Sequence, residues 1–195
     1  MQEIEAKFKV KDHRAIRERL LAMGAELIWK GREESYFFDT PKRDLDKRGE
    51  QLRLRSWPGH AVMLTFKKRV DRKEKRYKIR GEYELTLPDI KAARAFIEAM
   101  GYKEYFRYYK QREHYKLDEV FIELDRLSGL HFVEVEASRP EIERIAAALE
   151  LNWDDAMTKG YVTIVRELTG QPHKSRTGGS VRTTRPHGKT ETTSK

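Results

Sequence analysis

Residues 3–10 read Glu-Ile-Glu-Ala-Lys-Phe-Lys-Val, a strict alternation of charged and apolar side chains. Because successive side chains of a strand point to opposite faces, this period of two predicts a strand with one apolar and one charged face. The same alternation recurs at residues 52–55 (LRLR), 64–67 (LTFK), 78–87 (KIRGEYELTL), 122–125 (IELD) and 133–136 (VEVE). With two less regular runs, residues 35–39 and 109–115, the pattern predicts about eight strands.

Helical spacing of apolar residues appears in four further segments. Asp12 and Asp89 precede two of them as candidate N-caps. Gly24 and Gly101 follow the same two segments, as glycine often does at a helix end. Ser138 opens a capping box (SRPE) with proline in the first turn. We therefore predict helices over residues 13–23, 90–100, 139–149 and from Asp154 or Asp155 to about residue 168.

The charged faces of the strands hold few of the Ser, Thr and Gln residues that usually fill a solvated strand face. Their acids are Glu3, Glu5, Glu82, Glu84, Glu123, Asp125, Glu134 and Glu136, and their bases are Lys7, Arg53, Arg55, Lys67, Lys78, Arg80, Lys110 and Arg112. An open antiparallel sheet could pair these charges across strands in water. A closed barrel would bury them instead, which is prohibitive unless a metal and an anionic ligand complete the charges.

The two signs of charge suit two different ligands. A Glu-x-Glu pair places two carboxylates about 6.6–7 Å apart on one strand face, and two such pairs could converge on a hard divalent cation. Arginine and lysine suit a polyphosphate. An enclosed channel with both features indicates a site for a metal and a triphosphate.

A weak internal repeat also favours a closed form. Glu3 stands 21 residues before Gly24 and Glu82 stands 19 residues before Gly101, with a Glu-x-Glu pair, a helix and strands in the same order. Chance recurrence of common elements is the alternative. A true repeat would give two halves of about four strands each, which close one sheet into a barrel.

Composition narrows the class of protein. The chain has 195 residues, a net charge of +9 and no cysteine. It therefore has no disulfides, thiolate-bound zinc, iron–sulfur cluster or thiol nucleophile. No apolar run approaches the roughly 18 residues of a membrane span, and the acidic start does not resemble a signal peptide. We expect a cytoplasmic protein without membrane association.

The last 25 residues differ in composition from the rest. Six bases against one acid give residues 171–195 a charge of +5, which leaves +4 for residues 1–170. Rich in Ser, Thr, Gly and Pro, this segment is predicted to be a disordered basic tail after one domain over residues 1–170. The alternative is a basic arm that touches nucleic acid or an acidic partner. The mild charge of the domain itself argues against a nucleic-acid-coating role.

The charged strands resemble those of a known family. Residues 3–7 (EIEAK) resemble the Glu-x-Glu-x-Lys signature of the CYTH, or triphosphate tunnel metalloenzyme, superfamily. Its further segments follow in order: residues 36–41 (YFFDTP), 52–55, 64–67, 80–84 (RGEYE), 110–112 (KQR), 123–125 (ELD) and 132–136 (FVEVE). The resemblance covers about residues 1–168 and is closest to the class IV adenylyl cyclase-like branch. An extra phenylalanine within residues 36–41 and the position of Gly129 depart from the pattern without touching a charged position.

The resemblance implies an α+β fold, a closed eight-stranded, mainly antiparallel β-barrel that forms a tunnel, with peripheral helices. The implied ligands of Mg²⁺ or Mn²⁺ are Glu3, Glu5, Glu134 and Glu136. The implied triphosphate-binding residues are Lys7, Arg53, Arg55, Lys67, Arg80, Lys110 and Arg112. The implied catalytic residues are Lys7, Asp125, Glu82 and Glu84, with Asp125 and either Glu82 or Glu84 as ligands or positioners of a second metal. Lys159 and Tyr161 would close one tunnel mouth, and Lys78 would lie at the rim.

The implied function is that of a metal-dependent class IV-type adenylyl cyclase, which converts ATP to cyclic AMP and pyrophosphate. The same residues would serve a triphosphatase acting on tripolyphosphate, thiamine triphosphate or nucleoside triphosphates, which is the first alternative. A non-catalytic polyphosphate- or nucleic-acid-binding protein is the second. The expected partner is thus a small triphosphate and not nucleic acid. The oligomeric state stays open, with a homodimer as one option for this branch.

Overall fold

Eight antiparallel strands close into a ring in the computed structural model, which describes residues 2–70 and 76–170. The strands are β1 (Gln2–Val10), β2 (Glu26–Asp39), β3 (Glu50–Ser56), β4 (Val62–Arg69), β5 (Lys78–Leu87), β6 (Lys103–Leu117), β7 (Val120–Leu127) and β8 (Leu130–Glu136). Around the ring the order is β1, β5, β4, β3, β2, β6, β7 and β8, and β8 pairs back to β1. The predicted α+β fold with a tunnel is confirmed. The tail predicted at residues 171–195 lies outside the described residues.

Strand β1 closes the ring because it pairs along both of its edges. Its first half pairs with β5 and its second half pairs with β8. The change falls at Glu5, which lies opposite Lys78 of β5 and also opposite Glu136 of β8. Residues opposite each other in an antiparallel pair share a face, so the charged faces of three strands meet at this point inside the ring.

The described residues also form five helices. They are α1 (Arg14–Ala22), α2 (Asp44–Arg48), α3 (Ile90–Ala99), α4 (Arg139–Ala148) and α5 (Tyr161–Thr169). Helices α1, α3 and α4 confirm three predicted helices to within one or two residues at each end, whereas the five-residue α2 was not predicted. None of the five is long and apolar enough to cross a membrane.

The last helix begins later than predicted. Asp154 and Asp155 lie in a 3-10 turn, Trp153–Asp155, in which the side chain of Asn152 accepts a hydrogen bond from the Asp154 N–H at 3.0 Å. The next two residues form a short strand, β9 (Ala156–Met157), which pairs with β1. This pairing holds the chain extended where the local sequence would permit a helix. The predicted start at Asp154 or Asp155 is therefore wrong.

The predicted helix caps differ in their side-chain hydrogen bonds. Asp89 caps α3, since its carboxylate accepts the N–H of Ala92 at 2.6 Å. Asp12 accepts the N–H of Arg14 at 2.8 Å ahead of α1. Ser138 occupies the N-cap position of α4, but its side chain makes no capping hydrogen bond. The predicted capping box at α4 is therefore wrong, because it requires a hydrogen bond from a backbone N–H of the first turn to the Ser138 side chain.

The apolar core lies outside the ring, between the strands and the helices. Helices α1 and α4 cover β1, β7 and β8, where Phe8, Ile122 and Val133 are fully buried. Helix α3 covers β2, β3 and β4 around Leu54 and Ile97. Because the apolar face of each strand points outward, the charged face is left to line the interior of the ring.

We expect Asp89→Ala to lower the free energy of unfolding by about 1 kcal/mol, because it removes the acceptor for a backbone N–H at the start of α3. Ser138→Ala is the matched control and is expected to cost less than about 0.5 kcal/mol, since the Ser138 side chain makes no capping bond. Urea denaturation measures both. Equal losses in the two variants would contradict the assignment of the caps.

Candidate functional site

The ring encloses a cavity of about 500 Å³ whose lining is mostly charged. From the described part of the chain, nine acidic and eleven basic residues contribute to the lining. All the acids and bases predicted from the charged strand faces line this cavity except Asp125, which is fully buried and bonded to residues that do. The structure therefore brings the predicted catalytic, triphosphate-binding and metal-binding residues together in one place.

Arg112 is the centre of a buried network of ion pairs. It donates two hydrogen bonds to Asp125, from Nε at 2.7 Å and from Nη2 at 2.6 Å, and another to Glu134 at 2.6 Å. Lys110 and Tyr161 donate to the same Asp125 carboxylate at 2.9 and 2.7 Å. Burial opposes the charge of Arg112, but Asp125 and other nearby carboxylates raise its pKa well above the ordinary value. Both Asp125 oxygens are engaged, which suits a positioning role better than metal ligation.

Glu33 is a buried residue of the tunnel wall that the sequence analysis missed. Its carboxylate lies 3.6 Å from Nζ of Lys110 and 4.0 Å from Nη1 of Arg112. Burial raises the pKa of Glu33, but the two cations more than offset this and leave the pKa well below its usual range. Glu33 and Ser35 are two residues apart on β2 and therefore share the inner face of the strand. The acid Glu34 between them hides this pattern in the sequence, because it places a charge on the other face as well.

Lysines pair with three of the four predicted metal ligands. The pairs are Glu3–Lys67 at 2.8 Å, Glu5–Lys78 at 2.6 Å and Glu134–Lys7 at 3.0 Å. Lys78 therefore lies within the tunnel and not at its rim, which corrects the prediction. Across residues 2–70 and 76–170, no group of three or more potential ligands is arranged to hold a metal ion. The carboxylates are in place, but ammonium groups balance three of them.

Two carboxylates in the cavity have pKa values near or above neutral pH. Glu136 makes no ion pair with any described residue, and burial together with repulsion from Glu123 and Glu3 raises its pKa to about 8. Burial also raises the pKa of Glu82, and a hydrogen bond with Glu3 adds to this, whereas Lys67 at 2.9 Å opposes it. The resulting pKa of Glu82 is about 7. These two groups can exchange protons under physiological conditions.

Arg53 and Arg55 on β3 carry buried nitrogens that lack an acceptor. Nε and Nη2 of Arg53 and Nε of Arg55 make no hydrogen bond with the described residues. Arg55 does reach Glu84 at 2.6 Å through its Nη2, whereas Arg53 stays 3.9 Å from Glu82. Buried polar groups in proteins normally have a partner. These arginines are therefore able to bind an anion inside the cavity.

The segment that leads into α5 borders the cavity. The carbonyl of Lys159 accepts a hydrogen bond from Nζ of Lys7 at 3.1 Å, whereas the ammonium of Lys159 pairs with the exposed Glu167 at 2.9 Å. Tyr161, the first residue of α5, is buried and also lines the cavity. Both residues that were predicted to close a tunnel mouth are thus present at the cavity, Tyr161 with its side chain and Lys159 with its carbonyl.

Comparison with known proteins agrees with this geometry. The model of the CYTH domain family matches residues 1–163. The chain belongs to the CYTH domain family. MJ0240 of Methanocaldococcus jannaschii, provisionally named an adenylate cyclase, is 29% identical to this CYTH protein over 175 residues, which are 84% of this chain and 98% of MJ0240.

Solved structures share the fold of this CYTH protein. A Vibrio parahaemolyticus protein, provisionally described as an adenylate cyclase, superposes with a TM-score of 0.73 at 24% identity, over 84% of this chain and 97% of its own. HpAC1 from Hippeastrum, a provisional adenylyl cyclase described as having a dominant triphosphatase activity, superposes with a TM-score of 0.62 at 17% identity. The match covers 88% of this chain and 98% of HpAC1. At these identities the likeness shows the fold alone.

The raised pKa of Glu136 predicts a dependence of stability on pH. Between the ordinary carboxyl pKa and about 8, the folded protein keeps a proton on Glu136 that the unfolded chain has released. The free energy of unfolding of the metal-free wild type, measured relative to Glu136→Gln, should therefore fall as the pH rises from about 5 to about 9. Urea denaturation in a chelator measures it.

The surface variant Glu141→Gln is the control for this measurement, since Glu141 pairs with Arg144 on the exposed side of α4. We expect the difference between wild type and this variant to stay constant over the same pH range. A constant difference for Glu136→Gln as well would show that Glu136 is not protonated in the folded protein.

Proposed function

We propose that this CYTH protein is a divalent-metal-dependent enzyme that acts on a triphosphate inside the tunnel, as an adenylyl cyclase of the class IV type. The observation that carries the proposal is the set of buried guanidinium nitrogens on Arg53 and Arg55 that lack an acceptor among the described residues. A buried donor without a partner is costly, and phosphate oxygens are acceptors that match the planar fork of arginine.

The rest of the cavity supports a polyphosphate as the anion. Lys67, Arg80 and Lys110 line it together with Arg53 and Arg55, on four different strands around the ring. Eleven basic residues contribute to the lining. Cations arranged around an enclosed channel can contact several phosphoryl groups of one ligand at once.

The carboxylates fit a hard divalent cation by their chemistry. Glu3, Glu5, Glu134 and Glu136 would hold Mg²⁺ or Mn²⁺, because these ions take oxygen ligands and are commonly bound by a few carboxylates together with substrate phosphates. Glu136 makes no ion pair with a described residue, so a cation that displaces its proton would not have to displace an ammonium group. When bound, the ion would neutralise phosphate charge and lower the pKa of the attacking oxygen.

The residues of the chain itself would bind and orient the substrate. Phosphoryl transfer depends mainly on positioning and on the stabilisation of charge. In the cyclase reaction the ribose 3′-hydroxyl attacks the α-phosphorus, its proton leaves, and the bond to pyrophosphate breaks. Arg53, Arg55 and Lys67 would stabilise the departing pyrophosphate. Glu82, whose pKa is about 7, is suited to accept the hydroxyl proton.

A triphosphatase is the second candidate function. The tunnel offers the same cations to any triphosphate, and the related fold of HpAC1 belongs to a protein described as having a dominant triphosphatase activity. In this reaction water attacks the terminal phosphorus, the bond from that phosphorus to the bridging oxygen breaks, and orthophosphate and the remaining diphosphate are released. The choice between the two reactions depends on which end of the triphosphate lies beside the carboxylates.

Product analysis tests the proposal. ATP, thiamine triphosphate and inorganic tripolyphosphate are each incubated with the protein and Mg²⁺ or Mn²⁺. We expect cyclic AMP and pyrophosphate from ATP. Orthophosphate release would instead support the triphosphatase. Tight binding of tripolyphosphate without turnover of any substrate would overturn both activities and leave a non-catalytic polyphosphate-binding protein.

Variants then connect the activity to the tunnel. We expect Glu5→Gln and Glu136→Gln each to lower turnover by about 100-fold or more, because each removes a carboxylate charge from the proposed metal site. Glu141→Gln on the surface of α4 is the matched control and should keep wild-type turnover. Retained turnover in both tunnel variants would exclude these carboxylates as metal ligands.

A further inference from the structure

We propose that Tyr161 is a positioning residue that holds the ammonium groups of Lys7 and Lys110 in place for an anionic ligand. The centre of its ring lies 3.9 Å from Nζ of Lys7 and 4.5 Å from Nζ of Lys110. Its hydroxyl donates a hydrogen bond to Asp125 at 2.7 Å. One side chain from α5 thus contacts two cations on β1 and β6 and an acid on β7.

The kind of contact matters for ligand binding. A carboxylate that pairs with an ammonium group neutralises most of the positive charge of that group. The face of an aromatic ring carries no net charge and attracts the ammonium group through the quadrupole of the ring. Lys7 and Lys110 each have carboxylate partners, Glu134 at 3.0 Å and Asp125 at 2.9 Å. The ring restrains both ammonium groups further without adding negative charge near a phosphate.

The hydroxyl of Tyr161 adds a hydrogen bond to the packing contacts that hold its aromatic ring. Burial, together with the charges of Asp125 and Glu134, raises the pKa of the phenol well above its ordinary value. The hydroxyl therefore stays protonated and remains a donor to Asp125, which also accepts from Arg112. The aromatic ring of Phe132 packs edge-on against that of Tyr161, with 5.4 Å between the ring centroids.

This arrangement makes the tunnel depend on the C-terminal helix. Tyr161 and Ile164 lie on the buried face of α5 and pack with Leu127 and Phe132 at the ends of β7 and β8. Tyr161 also lines the cavity, whereas Ile164 does not. Apolar contacts therefore attach helix α5 to the strands of the tunnel wall. Its first residue, Tyr161, contacts the ammonium groups of Lys7 and Lys110.

Two substitutions at position 161 separate the ring from the hydroxyl. Tyr161→Phe keeps the ring and should leave the dissociation constant for tripolyphosphate within about threefold of wild type. Tyr161→Leu removes the ring and should raise that constant about tenfold or more, since both ammonium groups lose a contact. Calorimetric titration of the full-length protein measures all three affinities. Equal affinity of the leucine variant and wild type would overturn the proposal.

Ile164→Ala controls for simple loosening of α5, because it removes buried volume from the same face of the helix without touching the cavity. It should lower thermal stability while keeping the affinity for tripolyphosphate within about threefold of wild type. If Ile164→Ala weakens binding as much as Tyr161→Leu, the role of Tyr161 is only structural and the proposal fails.

The binding measurements with tripolyphosphate rest on the proposed function, because they take a triphosphate as the ligand. A second readout is independent of it. The Hε protons of Lys7 and Lys110 lie near the Tyr161 ring and should show upfield ring-current shifts in the NMR spectrum, kept in Tyr161→Phe and lost in Tyr161→Leu. Absence of these shifts in wild type would overturn the proposal. If the shifts are present but wild type binds no triphosphate, the proposed function fails and the positioning role stands.

Discussion

Charge balance inside a closed ring is the constraint on which this structure depends. Strand alternation leaves acids and bases in the interior, where an unpaired ion is costly. Ion pairs offset this cost at Arg112, which bonds to Asp125 and Glu134 and lies 3.4 Å from Glu123. These partners come from β7 and β8 and the arginine from β6. A change of one residue in register would place each of them on the outer face of the ring, so register and ion pairing support each other.

The same alternation explains why the helices lie where they do. Apolar side chains of the strands point outward, so they are removed from water only if another element covers them. Helices α1 and α4 cover one side of the ring and α3 covers another. Glycines at positive φ, Gly24 and Gly101, end α1 and α3 and turn the chain back to the next strand. The hydrophobic core therefore holds the walls of the tunnel mainly from outside, and Tyr161 belongs to the core while also lining the cavity.

Sequence patterns predicted the features that depend on local periodicity. The strand at residues 3–10 and the cap at Asp89 were read correctly, because alternation and capping involve residues close together in the chain. The start of the last helix was wrong, since the pairing of β9 with β1 joins segments about 150 residues apart. Glu33 was missed because the adjacent Glu34 breaks the alternation. The pairing of Lys78 with Glu5 follows from the register between β5 and β1, which no local pattern specifies.

The balance of charges also bears on what the tunnel can bind. A fully ionised nucleoside triphosphate carries about four negative charges, and with a divalent cation the complex carries about two. Eleven basic and nine acidic residues contribute to the lining, and the buried acids Glu33 and Asp125 add two more carboxylates beside Lys110 and Arg112. The interior is therefore close to charge balance, which a metal–triphosphate complex disturbs less than either ligand alone. On the proposed function, the lysines that pair with Glu3, Glu5 and Glu134 have two uses. They neutralise the carboxylates in the ligand-free protein, and they would be free to bind phosphate oxygens if those carboxylates held a metal ion. Binding is then an exchange of partners within an already charged interior, so little new charge has to be buried.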